Sequence, residues 1–450
     1  MQVHEQAPTH VLPAPAAPAR DDARWQAALV ARLRAVLPES SVLFRAEDTR
    51  PFECDGLTLY RQLPLVVVLP ASEAEVVAVM LICHELDVPV VPRGAGTGLS
   101  GGATPHRAGV LLSTAKMQRI VRVDANACVA VVEPGVRNLA ISEAAAPHGL
   151  YYAPDPSSQI ACSIGGNVAE NSGGVHCLKY GLTVHNVQRV RAVCSDGEIV
   201  EFGSEALDAP GLDLLAAVIG SEGLLAVTTE VIVRLVPKPA LASCIMASFA
   251  TVGAAADAVA AIIAAGIIPA GLEMMDQAAA CMVEPFVKAN YDLEAAAILL
   301  VEADGTVAEV EEEIGLIDAV LVRSGATRIA VSTSEAERLR FWAGRKNAFP
   351  AAGRVSPAYY CMDGTIPRKR LGEMLDAIKT MEKTYGLRCP NVFHAGDGNL
   401  HPLILFDDGD ADSVQRAEAM GVDILELSVD LGGTITGEHG VGVEKINQMC

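Results

Sequence analysis

Short apolar runs and helix-spaced apolar stripes succeed one another along the first half of the chain. The run at 65–69, the amphipathic stretch at 72–87 and the run at 88–91 predict a strand–helix–strand unit, preceded by a helix at 25–37. Further strands are predicted at 110–113, 128–133, 187–194, 199–202 and 225–236. Strands outnumber helices here, whereas a doubly wound fold alternates the two. The pattern therefore indicates an α+β domain whose loops bind the ligand.

The pattern changes after Pro237 and Pro239, two prolines that end a strand and stiffen a linker. Strands near 244–250, 269–275, 296–303 and 327–333 then alternate with helices near 251–265, 276–290, 307–324 and 334–348. This predicts a cap domain, an antiparallel sheet covered by helices on one side. Long helices at 368–385 and 410–430 follow. We therefore divide the chain into a flexible Pro/Ala-rich tail (1–24), a binding domain (25–239), a cap (240–367) and a helical C-terminal segment (368–450).

Charge and composition narrow the function. The net charge is −21, from 34 basic and 55 acidic residues, which argues against nucleic acid and against a polybasic membrane anchor. An anionic substrate must then be attracted by a local cation. The eleven cysteines contain no CxxC pair, so we expect reduced thiols in a cytoplasmic protein and no iron–sulfur cluster. With no apolar run of membrane-spanning length and no signal-peptide pattern, a soluble protein is expected.

Two glycine-dense stretches are candidates for an anion-binding site. Residues 93–102 contain five glycines directly after a predicted strand, and residues 151–181 contain a second set with small polar side chains. Glycine lets backbone N–H groups approach an anion closely. Neither stretch is a P-loop or a dinucleotide fingerprint, and one such loop alone could be a mobile surface loop. Together, the two could hold a pyrophosphate and a polar ring.

The third motif carries histidines. Asp397-Gly398 predicts a two-residue hairpin turn, which would place His394 directly opposite His401 on one face of the hairpin. Farther on, Glu438 and His439 lie in a glycine-rich loop at 436–442. Two imidazoles and one carboxylate suit Zn, Mn or Fe(II). The alternative is a hydrogen-bonded histidine pair without an ion.

These motifs make the sequence recognisable. The chain resembles the FAD-linked oxidase family of the vanillyl-alcohol oxidase or PCMH type, and within it the branch of D-lactate, glycolate and D-2-hydroxyglutarate dehydrogenases. The resemblance implies a PCMH-type FAD-binding domain of two subdomains at 25–239, followed by the cap. It rests on PRGAGTGLSGG (92–102), PDPSS (154–158), SIGGNVAENSGG (163–174), YGLT (180–183), IGSEGLLAVTTE (219–230), HAGDGNLHP (394–402) and GEHGVG (437–442).

The resemblance also implies which residues bind FAD. Residues around the pyrophosphate would be Arg93, Gly94, Ala95, Gly96, Thr97, Gly98, Ser100 and Gly101. Residues lining the flavin would be Pro154, Asp155, Ser158, Cys162, Gly165, Gly166 and Asn167, with Glu222, Gly223 and Val227 nearby. Some relatives attach flavin through a histidine, for which His106 and His148 are candidates only by residue type. In this branch we expect non-covalent FAD.

In the same family, His394, His401 and Glu438 match ligands of a divalent metal, and His439 matches a catalytic histidine. Arg345 matches an arginine that binds the substrate carboxylate; Lys346 is a weaker candidate, and Arg345 as a surface helix charge is the plain alternative. The implied mechanism has the ion lower the pKa of the substrate hydroxyl, His439 accept its proton, and the C2 hydrogen leave as hydride to flavin N5.

The expected substrate follows from positions at which the chain departs from its relatives, and the expected partners follow from its likeness to glycolate oxidases. Hydroxyglutarate-specific relatives carry polar residues near the positions of Phe349, Cys361 and Leu403, and their loss here favours glycolate or D-lactate. Likeness to glycolate oxidases implies companion FAD-binding and iron–sulfur subunits that feed quinone at the inner face of the membrane. Relatives continue to an Asn-Pro-Gly-Lys segment that closes against the flavin domain, whereas this sequence ends at Cys450. Either the sequence is trimmed or it is a shortened member of the family, and retention of FAD would then be weaker.

Three other functions remain open at this point. One is a D-lactate or D-2-hydroxyglutarate dehydrogenase that acts alone on quinone or a cytochrome. The second is a non-catalytic FAD-binding subunit of an electron-transfer complex, against which the full His394, His401 and Glu438 set argues. The third is a metallohydrolase without flavin.

Overall fold

A computed structural model describes residues 22–206 and 211–449 of the chain. The predicted flexible tail therefore lies outside the described residues up to residue 21, and residues 22–24 belong to the first helix, α1 (Asp22–Arg34). Cys450 also lies outside them. All cysteines within the described ranges are free, as expected for reduced thiols.

The predicted strand–helix–strand unit is confirmed and forms the first subdomain. Its sheet has the order β1-β2-β4-β3, and β4 is parallel to both β2 and β3. Helix α3 begins where the Ser72 hydroxyl accepts a hydrogen bond from the Glu75 amide, and its apolar residues pack with α1 on this sheet. The elements are β1 (Val42–Leu43), α2 (Ala46–Thr49), β2 (Val66–Val68), α3 (Glu73–Glu85), β3 (Val90–Arg93) and β4 (Val110–Ser113).

The second subdomain is built on an antiparallel sheet of order β5-β6-β10-β8-β9, and the strands predicted for it are confirmed. A short pair, β7 with β11, lies beside it. The elements are β5 (Ile120–Asp124), β6 (Val129–Val132), α4 (Asn138–Ala145), β7 (Leu150–Tyr151), α5 (Ile164–Glu170), α6 (Cys177–Tyr180), α7 (Thr183–Asn186), β8 (Val187–Val193), β9 (Ile199–Gly203), α8 (Leu214–Val218), β10 (Val227–Arg234) and β11 (Val236–Pro237).

The cap contains a seven-stranded antiparallel sheet of order β15-β12-β14-β13-β17-β18-β16. Two of its strands, β17 and β18, come from the segment 368–450. The elements are β12 (Leu241–Phe249), α9 (Val252–Ala264), β13 (Gly271–Asp276), α10 (Gln277–Val287), β14 (Ala297–Gly305), α11 (Val307–Arg323), β15 (Arg328–Val331), α12 (Glu335–Lys346), α13 (Ala348–Val355), β16 (Ala358–Cys361), α14 (Leu371–Tyr385), β17 (Asn391–His394), β18 (Asn399–Phe406) and α15 (Ala411–Asp430).

Helices cover both faces of the cap sheet, so the expectation of helices on one side was wrong. Along β14, Leu299 and Val301 pack into one core with α9, α11, α14 and α15, while Ile298 and Leu300 pack into another with α10, α12 and α13. The physical reason is visible in the sequence, because the strand is apolar at successive positions rather than alternate ones.

Within the described ranges, no helix is both long enough and apolar enough to cross a bilayer. The functional loops lie where the two subdomains and the cap meet. The loop after β3, the loop between β7 and α5, and the loop at 432–445 all converge there.

Candidate active site

A cavity of about 470 Å³ lies between the glycine-rich loops of the first domain and the histidine motifs of the cap. Of the residues predicted to bind FAD, all line this cavity except Ser100, Gly101, Pro154 and Asp155. The two glycine stretches, distant in sequence, therefore form one wall. Their approach is close: a Cβ atom at Gly94 would collide with the Ser163 hydroxyl at the start of α5.

Ser100 joins the first glycine loop to the loop at 436–442. Its hydroxyl donates a hydrogen bond to the carbonyl of His439 (2.6 Å), and its carbonyl accepts one from the Glu444 amide (3.1 Å). The Glu222 carboxylate accepts hydrogen bonds from the amides of Val441 and Gly442, both at 2.7 Å. Ser100 and Glu222 thus hold the loop at 436–442, the histidine loop, against the glycine-rich loops of the first domain.

Pro154 and Asp155 do not line the cavity; each is hydrogen-bonded to another side chain of the first domain. The Pro154 carbonyl accepts a hydrogen bond from the side chain of Asn138, and Asp155 pairs with Nδ1 of His176 at 2.8 Å. The other ring nitrogen of His176 lies 3.1 Å from Glu302 of β14. This chain of charges joins the first domain to the cap.

The predicted register of the histidine hairpin was wrong by two residues. His394 pairs with Asn399 and His401 pairs with Val392, because the turn spans four residues, 395–398, rather than two. The turn closes where the Gly398 amide donates to the His394 carbonyl (3.0 Å). A shift of two residues keeps side chains on the same face. The two imidazoles are therefore diagonal neighbours, with ring centroids 5.0 Å apart.

His394, His401 and Glu438 converge on one point. Each histidine has its Nε2 atom close to Oε1 of Glu438, at 3.2 Å for His394 and 3.1 Å for His401. One potential ligand atom from each residue lies within 4.8 Å of the others. Nδ1 of His394 lies 2.7 Å from the buried carboxylate of Glu273 on β13. A carboxylate behind an imidazole is the usual support of a metal-binding histidine, because it fixes the ring orientation.

Asp363 shapes the loop that carries Glu438 and His439. Its fully buried carboxylate accepts hydrogen bonds from the backbone amides of Gly437 (3.0 Å), Glu438 (3.2 Å) and His439 (2.8 Å). The ammonium of Lys445 lies 3.4 Å away. Burial alone would raise the pKa of Asp363, but the neighbouring His439 and Lys445 outweigh it and hold that pKa below its usual range.

The His439 imidazole lies parallel to that of His401, with a centroid separation of 5.0 Å and an interplanar angle of 4°. Burial lowers the pKa of His439 to about 4, below the ordinary value of 6.5 for an imidazole. The ring is therefore neutral at pH 7. Its Nδ1 atom has no hydrogen-bond partner, so a lone pair or an N–H group is free to act on a ligand.

Arg345 is buried rather than on the surface. Its side chain is 1% exposed, and its Nε donates to Glu273 (2.6 Å), the carboxylate that also holds His394. Both terminal nitrogens, Nη1 and Nη2, lack partners. Arg345 does not line the cavity, whereas the neighbouring Lys346 does.

The three positions near which hydroxyglutarate-specific relatives carry polar residues lie in different surroundings in this structure. Phe349 lines the cavity, with its ring centroid 6.4 Å from that of His401. Leu403 and Cys361 pair with each other across β18 and β16, and both are buried off the cavity wall. His106 and His148 are also absent from the cavity wall, whose histidines within the described ranges are His401 and His439.

Sequence reasoning missed Glu273, Asp363 and Glu170. Glu273 and Asp363 are single carboxylates beside apolar strand residues, and a buried carboxylate needs a partner, so each was a detectable signal. Glu170 lines the cavity; burial, together with the nearby Glu222, raises its pKa to about 8. Its Oε2 has no hydrogen-bond partner.

The fold and the matching families assign this chain to the flavin-dependent oxidoreductases. Residues 64–203 match the FAD binding domain family, and residues 238–450 match the C-terminal domain of FAD linked oxidases. The chain belongs to the FAD-linked oxidase family, and FAD is its cofactor.

Individual relatives cover nearly the whole chain. Glycolate oxidase subunit GlcD of Escherichia coli K12 is 58% identical over 418 residues, which is 93% of this chain and 84% of the relative. GlcD of Bacillus subtilis is 39% identical, covering 88% of this chain and 84% of that protein. A D-lactate dehydrogenase of Anaerostipes hadrus is 30% identical, covering 94% of this chain and 90% of that protein.

Solved structures confirm the predicted fold. A p-cresol methylhydroxylase with substrate bound superposes with a TM-score of 0.77 at 17% identity, covering 92% of this chain and 90% of that one. An alkyldihydroxyacetonephosphate synthase gives 0.74 at 18% identity, covering 94% and 83%. At this identity the likeness concerns the fold alone, which is of the PCMH type.

Proposed function

We propose that this FAD-dependent 2-hydroxy-acid dehydrogenase oxidises glycolate to glyoxylate, with D-lactate as a secondary substrate. The observation that carries the proposal is the convergence of His394, His401, Glu438 and His439 beside the cavity of the glycine loops. The two GlcD relatives support glycolate as the substrate.

The cavity has the groups that FAD requires. The glycine loops offer backbone amides to its phosphates, and Glu170, whose raised pKa of about 8 favours the protonated form at pH 7, offers a hydrogen bond from a buried position. When bound, FAD accepts the hydride from C2 of the substrate at N5. We propose non-covalent binding, since the cavity-lining histidines within the described ranges are His401 of the hairpin and His439 of the loop at 436–442, both of which have other roles in this proposal.

His394, His401 and Glu438 would hold a divalent ion. Two nitrogen donors and one oxygen donor fit Zn, Mn or Fe(II), and the Glu273 contact to His394 supplies the support that such a ligand needs. When bound, such an ion polarises the substrate hydroxyl.

The protein's own groups then handle substrate and proton. Neutral His439 accepts the hydroxyl proton as C2 is oxidised, in a position fixed by Asp363 and Ser100. Arg345 binds the substrate carboxylate; its two partnerless buried nitrogens are suited to a bidentate pair with an anion. Lys346, on the cavity wall, is the alternative cation. Phe349 limits the substrate to a small acid.

Electrons leave through other proteins in this proposal. GlcD is named as a subunit of glycolate oxidase, which implies companion chains. We propose an FAD-binding companion and an iron–sulfur companion that pass electrons to quinone. The chain would be cytoplasmic and held at the inner face of the membrane by these contacts, in keeping with its net charge of −21.

A stand-alone D-lactate dehydrogenase is the second candidate, favoured by the D-lactate dehydrogenase relatives. Dye-reduction assays on glycolate, D-lactate and D-2-hydroxyglutarate, with metal analysis of the same FAD-loaded sample, test both. Glycolate should give the highest kcat/KM. A clear preference for D-lactate would replace the first candidate by the second. The metal proposal fails if His394→Ala and Glu438→Ala retain both bound metal and rate.

A further inference from the structure

A second set of metal donors lies behind the first. Sγ of Cys361, a ring nitrogen of His401 and a ring nitrogen of His439 lie within 4.8 Å of one another. Cys361 is the last residue of β16, His401 lies on the neighbouring β18, and His439 stacks on His401. Three separate parts of the fold thus bring a thiol and two imidazoles together.

Each histidine of this set has one unsatisfied ring nitrogen. Nδ1 of His401 and Nδ1 of His439 are buried and have no hydrogen-bond partner, and the residue His401 is only 2% exposed. Buried polar atoms are normally paired, so each unpaired one calls for a partner such as a water molecule or an ion. Since Nε2 of His401 faces Glu438, its Nδ1 remains available while Nε2 serves the first set.

The chemistry of the two sets differs. The first set offers two nitrogens and a carboxylate oxygen, whereas the second offers a sulfur and two nitrogens. Thiolate with imidazole selects thiophilic ions such as Zn²⁺ and Cd²⁺ over Mn²⁺. A tetrahedral zinc site with bonds of about 2.0–2.3 Å separates its donors by about 3.5 Å, so small side-chain shifts would close this set around an ion.

We propose that Cys361, His401 and His439 form a second cation site that takes a thiophilic divalent ion and thereby inhibits the enzyme. Binding forms one metal–sulfur and two metal–nitrogen bonds, and the thiol proton leaves to solvent. Where Nε2 of His401 already holds an ion in the first set, the ring proton of His401 leaves as well, because a neutral imidazole has a single nitrogen lone pair. An ion held there occupies the imidazole of His439. The inhibition, though not the binding, rests on the proposed role of His439 as the proton acceptor.

The ion has a route to this site. His401 and His439 line the cavity, while Cys361 lies behind them with 3% of its surface exposed. A cation therefore reaches the thiol past the two imidazoles, through the space that the substrate enters. Bound substrate should slow the onset of inhibition for this reason.

The test uses the FAD-loaded full chain titrated with Cd²⁺. Three readouts are followed: the ultraviolet thiolate-to-cadmium charge-transfer band, bound cadmium by equilibrium dialysis, and glycolate-dependent dye reduction. Cys361→Ser and Cys361→Ala remove the sulfur. Cys389→Ala is the matched control, because Cys389 is also buried and free but lies outside this donor set.

We expect Cys361→Ala to lose part of the band and one bound cadmium, and to need at least about tenfold more Cd²⁺ for half-inhibition, while Cys389→Ala behaves as the parent. Equal bands, equal stoichiometry and equal inhibition in both variants would overturn the site. Loss of band and cadmium with unchanged inhibition would retain the site and refute its inhibitory role, since Cd²⁺ at the first set would then account for the inhibition. The band and the dialysis remain informative even if glycolate is not oxidised.

Discussion

The carboxylate of Asp363 accepts a hydrogen bond from the backbone amide of His439 at 2.8 Å, and this contact sets the conformation of the loop that carries both Glu438 and His439. The same carboxylate is a buried partner of Lys445. One side chain therefore supports the candidate proton acceptor and neutralises a fully buried ammonium.

Replacing Asp363 should damage activity and stability together. Asp363→Asn keeps the shape but leaves Lys445 uncompensated and offers the loop amides a neutral, weaker acceptor, so the free energy of unfolding should fall by about 3–5 kcal/mol and kcat by at least about 100-fold. Urea denaturation and steady-state kinetics measure the two effects. Asp412→Asn, which removes only an exposed ion pair with Arg416 on α15, is the control; it should lower the free energy of unfolding by less than about 1 kcal/mol and leave kcat unchanged. Parent-like kinetics for Asp363→Asn would contradict the positioning role.

Glu273→Gln tests the support of His394. The amide keeps the size of the side chain but weakens the hold on Nδ1 of His394, so the affinity for the divalent ion should drop about 10- to 100-fold. Competition with a chelator, followed by metal analysis, reports the affinity directly. Glu294→Gln, an exposed site in the same domain, should leave it unchanged. Unchanged metal affinity in Glu273→Gln would remove Glu273 from the site.

A pair of conservative variants separates the two candidate cations for the substrate carboxylate. Arg345→Lys keeps the charge beside Glu273 but loses the planar fork, and should raise KM for glycolate about tenfold or more with a smaller effect on kcat. Lys346→Met should change KM less than threefold. The reverse ranking would assign the carboxylate to Lys346.

The His176 contacts predict a pH dependence of stability. Burial lowers the pKa of His176, but Asp155 and Glu302 outweigh it and raise that pKa to about 10 from the ordinary 6.5. A raised pKa means that the stabilisation is fully present below pH 6.5 and is lost as pH rises through about 10.

We expect His176→Gln to destabilise the protein by about 2 kcal/mol or more at pH 6.5, and the gap between the parent and the variant to close towards pH 10. Urea denaturation at three pH values across this range measures it. A gap that stays constant with pH would show that His176 is neutral in the folded protein.

Gly94→Ala should reduce FAD retention. The added Cβ meets the hydroxyl of Ser163, so either this hydroxyl gives up its hydrogen bond with the Gly166 amide at the start of α5 or the two glycine loops separate. Gel filtration followed by the flavin-to-protein absorbance ratio should show at least about a tenfold loss of affinity. Gly353→Ala, where a Cβ meets nothing within 4 Å, is the matched control. Equal flavin content in both variants would place the phosphates elsewhere.

Local patterns predicted the elements well and the long-range contacts poorly. The helix at 307–324 and the strands at 110–113 and 187–194 were predicted nearly to their observed bounds, because apolar periodicity and capping residues are local. The hairpin register failed, since a turn motif alone does not fix how many residues the turn contains. The predicted proximity of His394 and His401 is still correct, because a register error of two residues leaves both side chains on the same face of the hairpin.

The residues that support the site could not be predicted from the sequence, for a different reason. Glu273 meets His394 and Arg345, and Asp363 meets His439, across separations that no spacing rule encodes. Ser100 and Glu222 were predicted as cofactor residues, yet their hydrogen bonds go to the loop at 439–444. Motifs indicated which residues are chemically capable; only the fold decided which of them face one another.

The hydrogen bond from Ser100 to His439 joins residues 339 positions apart. During synthesis, the first domain leaves the ribosome and can begin to fold long before residue 439 has been translated. The part that recognises the cofactor can therefore exist as a nascent, chemically silent body. On the role proposed for His439, substrate oxidation begins only after the histidine loop has docked on this domain, so a partly synthesised chain would bind flavin without reducing it.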